Sequence, residues 1–142
     1  MLRGEFPSAG DRETEALRAA YDDVLATTVT EVGAEPVAER TGVDEERLNA
    51  LLAGKSPDLS LTEAASVLAT APDRPDAETI AAEARDILLM GMVTAVLDVD
   101  AVSSGIEGVL EPKEIQQKVE GRFPMNLDEY ALLHSFIEGR KP

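Results

Sequence analysis

No cysteine occurs in the chain, which excludes disulfides, thiolate zinc sites and a cysteine nucleophile. Tryptophan is absent as well, and aromatic residues make up only 4%, so a core has to be built from Ala, Leu and Val. A single histidine, His134, has no second His or Cys to complete a ligand set. It reads as a surface or satisfied half-buried side chain rather than a catalytic or metal-binding one. Positive charge is scarce: 13 Lys and Arg stand against 28 Asp and Glu, a net charge of −15, and the lysines are Lys55, Lys113, Lys118 and Lys141. The acids are dispersed, which makes a solvated surface rather than an acidic arm. Long apolar runs are missing too. The most apolar stretch, residues 87–97, is closed by Asp86 and Asp98 and falls far short of the ~20 residues a spanning helix needs. It is expected to be a buried helix. No charged-then-apolar leader precedes a cleavage pattern, so secretion is not expected.

What the chain does contain is a repeat. Val43, Leu48, Gly54 and Pro57 recur as Leu110, Ile115, Gly121 and Pro124, 67 positions later. Ser60, Leu61 and Glu63 recur as Asn126, Leu127 and Glu129, 66 positions later. The matched residues are those that place helix ends. Two units of roughly 55 to 60 residues would each be marginal alone, so shared burial between them is expected.

The spacing predicts an N-terminal arm over residues 1–12, a first unit over 13–70, a linker over 71–76 carrying Pro72 and Pro75, and a second unit over 77–142. In the first unit a helix over 13–32 carries Leu17, Tyr21, Leu25 and Val29 on one face and stops at Gly33. A short helix around Pro36, Val37 and Thr41 turns at Gly42. Asp44 caps a third helix with Leu48, Leu51 and Leu52 as its buried face and Gly54 at its end. Ser60 with Glu63 forms a capping box that opens a fourth. In the second unit a long helix is expected over 77–99, packed against the helix over 13–32. One irregular turn follows over 100–108, then a helix opened by Pro112 and ended by Gly121, and a last one capped by Asn126 and Glu129.

From 35 to 69 the chain resembles the Cro/CI-like, lambda-repressor-type helix-turn-helix family. The match rests on Val37, Ala38, Gly42, Val43, Leu48, Leu51, Gly54, Lys55, Pro57 and Leu61. The resemblance implies that the helix after Asp44 is the one that enters a DNA major groove, with Asp44, Glu45, Glu46, Arg47 and Ala50 at the reading positions. Three consecutive acids there would meet phosphates with repulsion. A Glu can accept from cytosine N4, but Ala50 can only touch a thymine methyl. The equivalent helix of the second unit is less hostile. Lys113, Gln116, Gln117, Lys118 and Arg122 form the candidate nucleic-acid-binding set, since Gln can read adenine. The bland reading of these side chains is a solvated helix face. In composition the whole chain also resembles small acidic haloarchaeal proteins, which implies a cytoplasm of molar salt, where a Debye length of about 3 Å screens self-repulsion.

Other chemistry is poorly served. Asp98 and Asp100 begin like a calcium loop, but Val102 and Val109 stand where oxygen ligands are needed, and Gly105 is late. Ser103, Ser104 and Gly105 lack the spacing of a nucleophile elbow, and no phosphate loop occurs. Met90 and Met92 read as core filling around Gly91, which would permit a close helix approach. The expected fold is all-α, two tandem diverged helix-turn-helix units sharing one helical core. The expected function is a non-enzymatic interaction or regulatory module, with a DNA-binding transcriptional regulator as the alternative. No catalytic residue, metal or cofactor is expected. The expected partner is a protein, a second copy of the chain included, with DNA disfavoured by charge and neither membrane nor small-molecule ligand indicated.

Overall fold

In the computed structural model, which describes residues 14–142, the capping signals set the helix ends. The chain is all-helical among the described residues. It runs α1 (Thr14–Val32), α2 (Ala34–Thr41), α3 (Glu45–Leu52), α4 (Leu61–Leu68), α5 (Ala77–Thr94), α6 (Val99–Gly105), α7 (Pro112–Val119) and α8 (Leu127–Arg140). The proposed arm, residues 1–12, lies outside the described residues.

The two halves end their helices with the same devices. After α3, Lys55 N–H donates to the Ala50 carbonyl at 2.9 Å and Gly54 N–H to Leu51 at 3.1 Å. After α7, Arg122 N–H donates to Gln117 at 2.8 Å and Gly121 N–H to Lys118 at 3.2 Å. Both are Schellman ends, and they require the left-handed backbone that Gly54 (φ 78°) and Gly121 (φ 81°) supply. The capping boxes of α4 and α8 form as expected. Ser60 Oγ accepts from Glu63 N–H at 3.0 Å, and Asn126 Oδ1 accepts from Glu129 N–H at 2.7 Å.

These two caps also meet each other. Leu61 N–H donates to the Met125 carbonyl at 2.7 Å and Leu127 N–H to the Leu59 carbonyl at 2.9 Å, a reciprocal pair around Ser60 and Asn126. From that junction α1 packs on α8 and α4 packs on α5. The buried apolar side chains form one cluster, from Leu17 through Leu61 and Leu88 to Ile137, so the core is shared. Sharing comes through these crossed pairs and not through α1 on α5, because the paired caps place α4 and α8 between the two long helices.

Four further expectations are corrected. The long helix ends at Thr94, not at 99: Leu97 N–H closes on Met92 at 2.8 Å and Val96 takes φ 55°. Asp98 then caps a regular α6, its Oδ1 accepting from Ala101 N–H at 2.8 Å, where only an irregular turn was expected. The apolar stretch over 87–97 is also not wholly buried. Met90 is 60% exposed, Val93 71% and Val96 90%, while Met92 and Leu88 point inward. One α5 face meets α4 and α8, which leaves the opposite face to solvent. Leu52, expected on the buried face of α3, is exposed too: it is the last residue of that helix, at the edge of the stripe that Leu48 and Leu51 bury. Gly91 does permit close approach, since a Cβ there would lie 2.6 Å from Ile137 Cγ2.

Candidate functional site

At the start of α3 the acids face outward. Asp44, Glu45 and Glu46 are exposed, and Asp44 Oδ1 accepts from Arg47 N–H at 2.9 Å. That backbone hydrogen bond holds the Asp44 carboxyl below its ordinary range. Arg47, the one cation among the reading positions, turns back onto the scaffold. Its guanidinium donates to both Glu63 oxygens, at 3.0 and 2.8 Å, to Asp44 Oδ2 at 3.0 Å and to the Asp58 carbonyl at 2.9 Å. The Arg47 hydrogen bonds depress the Glu63 carboxyl likewise, so this pair stays ionised. Ala50 is half-buried, with its carbonyl occupied by Lys55. The end of the helix that the resemblance assigns to DNA is therefore an exposed acidic surface whose one cation is turned back onto Asp44 and Glu63.

The second candidate set lies on α7 and just beyond it. Lys113 and Gln116 are exposed, while Gln117 and Lys118 are half-buried. Lys118 Nζ pairs with Glu129 Oε2, and Arg122 pairs with Glu120. The Lys118 pair matches the Arg47–Glu63 pair in purpose: in each half the capping-box glutamate is gripped by a cation of the helix before it. The structure thus keeps the five residues on one segment but engages two of the three cations internally.

His134 sits deeper than expected, 3% exposed, with its Nδ1 2.6 Å from Tyr21 Oη. Tyr130 flanks the same ring at 5.4 Å between centroids and donates its hydroxyl to the Ala84 carbonyl at 2.8 Å. Burial lowers the His134 pKa to about 4, Glu138 opposing and Lys141 reinforcing that shift. The imidazole is a neutral core group hydrogen-bonded to Tyr21. Ser103 is also structural, donating to the Leu110 carbonyl at 2.7 Å.

Sequence reasoning missed a cleft of about 370 Å³ beside the paired caps, lined by Arg85, Lys118, Arg122, Thr62 and Phe123 among others and, among the described residues, by no carboxylate. The available signal was the equivalence of Arg18 and Arg85, 67 positions apart. Arg18 is buried and fully engaged. It donates to Asp22 at 3.0 Å, to Asp128 at 2.8 Å and to the Pro57 carbonyl. Arg85 is half-buried and lies over Gly121, where a Cβ would stand 2.9 Å from its Nε.

Among the described residues no single helix is long and apolar enough to cross a membrane. No curated protein and no solved structure matches the chain. A family model does match, over residues 17–140, a span that takes in all of α2 to α8 and most of α1, and the chain belongs to that family of unknown function, DUF5791.

Proposed function

We propose that this protein is a non-enzymatic helical interaction or regulatory module, in which a helix-turn-helix scaffold keeps its packing and presents a surface unsuited to DNA. The observation that carries the reading is the start of α3: Asp44, Glu45 and Glu46 are exposed, while Arg47 is held by Asp44 and Glu63. Phosphate binding requires cations that release counterions, and a carboxylate row does the reverse. Such a row fits a basic or hydrogen-bond-donating protein surface, where like-charge rejection of wrong partners adds specificity. Exposed Met90 and Val93, one turn apart on α5, support a role in protein contact. Affinity capture from a lysate kept at native salt, with wild type and with Glu45→Lys/Glu46→Lys, tests it. A specific protein partner lost in the double variant is expected. Capture of nucleic acid instead, or capture indifferent to the substitutions, refutes the reading.

The second reading, DNA binding through α7, is favoured by Lys113 and Gln116, both exposed, with no acidic partner on the lysine among the described residues. Fluorescence anisotropy with genomic-fragment pools in molar KCl decides it. Binding there that is lost in Lys113→Glu/Lys118→Glu would replace the interaction-module reading.

A further inference from the structure

The geometry points to the cleft at Arg85 as a binding site for a small organic anion, a phosphate or carboxylate carried on an apolar body. The reasoning compares equivalent places in the two halves. Around Arg18 the anionic partners are Asp22, four residues on in the same helix, and Asp128, in the first turn of α8 across the junction. At the corresponding positions around Arg85 stand Leu89 and Thr62, and Ser56, which donates to Asp22, corresponds to Phe123. The arginine is kept and both of its carboxylates are gone. Among the described residues no hydrogen bond or ion pair engages Arg85, although its side chain is half-buried. A guanidinium in that position has planar, forked donors suited to a two-oxygen anion and binds one more strongly than it binds water.

The surroundings agree with that chemistry. In a chain of net charge −15, the lining of this cleft holds, among the described residues, three cations and no acid. Lys118 and Arg122 each hold a glutamate, so they form the rim, and Arg85 supplies the free donors. Thr62, exposed in the first turn of α4, puts a hydroxyl at the place from which Asp128 serves Arg18. Gly121 leaves the space in which the guanidinium lies flat. Phe123, 53% exposed, adds an aromatic wall to the same cleft, next to Pro124 and Met125. The volume of about 370 Å³ lies at the lower end of the range for small-ligand sites. This site does not depend on the acidic α3 surface, and either assignment can fail without the other.

The test is a titration of the full chain, labelled at arginine Nε and backbone amides, with phenyl phosphate in one arm and inorganic phosphate in the other. Saturable shifts at Arg85 Nε–H and at the Thr62 and Gly121 amides are expected, at lower concentration for phenyl phosphate because of Phe123. Arg85→Gln should weaken binding at least about tenfold, as should Thr62→Asp, which restores at Arg85 the carboxylate that Asp128 gives Arg18 without removing a cation. Arg140→Gln, an exposed cation outside the cleft, should bind as wild type does. Shifts that never saturate, or that persist unchanged in Thr62→Asp, overturn the site. Equal affinity for the two probes overturns the apolar body.

Discussion

Lowering pH from 7 to 5 should destabilise this protein through one buried side chain. His134 is 3% exposed, its Nδ1 lies 2.6 Å from Tyr21 Oη, and its pKa is lowered from 6.5 to about 4. The folded state therefore refuses a proton that the unfolded chain takes up near pH 6.5. The sign follows from that difference: the His134 contribution is complete above about 6.5 and is lost as pH falls toward 4. At about 1.4 kcal/mol per pH unit the full loss amounts to about 3 kcal/mol, of which about 2 kcal/mol should appear between pH 6.5 and 5. Three of the shifted carboxyls act below this window. Glu63, Asp44 and Asp76 have lowered pKa values, so their contributions fade only below their ordinary values of 4.5 and 3.8. Asp22 is raised, chiefly by burial, so its term runs the other way. The assay is urea unfolding at constant ionic strength from pH 7.5 to 4.5, for wild type and His134→Asn. The amide can still hydrogen-bond to Tyr21 but cannot be protonated, so the variant should lose the fall of about 2 kcal/mol that wild type shows between pH 6.5 and 5. An equal slope in the two proteins would refute the assignment, as would a His134 ring signal that titrates near 6.5.

Gly91→Ala should cost about 1 to 3 kcal/mol, measured as a fall in urea midpoint, because its Cβ would lie 2.6 Å from Cγ2 of the buried Ile137. Val96→Gly should stabilise by about 1 kcal/mol: Val96 is a β-branched residue at φ 55° and is 90% exposed, so strain is relieved with little packing lost. No gain in melting temperature would argue against that helix end. The melting temperature itself should rise substantially from dilute buffer to molar KCl, since screening removes the self-repulsion of a net charge of −15. A flat or falling curve would remove the high-salt expectation.

The helix ends read most easily from sequence were those whose signal is local. The Ser60/Glu63 and Asn126/Glu129 boxes, the Asp44 cap and the glycine ends at Gly54 and Gly121 each involve residues within about one turn, so neighbouring positions in sequence carry the whole hydrogen-bond pattern. The end of α5 was missed because Val96 takes a conformation usually given to glycine, although Asp98 was available as a cap signal for α6. Met90 and Val93 were misplaced for a different reason. Apolarity over 87–97 has no clear period, and burial there depends on which α5 face meets α4 and α8.

By itself, then, the sequence determined an all-helical chain, its cap positions, an acidic surface and the recurrence of one set of helix ends in two halves. The tertiary structure decided which helices cross. Periodicity along one helix defines a face but carries no information about the helix that will cover it. Arg18 and Arg85 occupy equivalent positions, yet the crossing of α1 with α8 gives Arg18 the carboxylate of Asp128. The crossing of α5 with α4 brings Arg85 to a cleft with Thr62, where no carboxylate waits, because the contact that satisfies or frees a charge spans residues far apart in the chain.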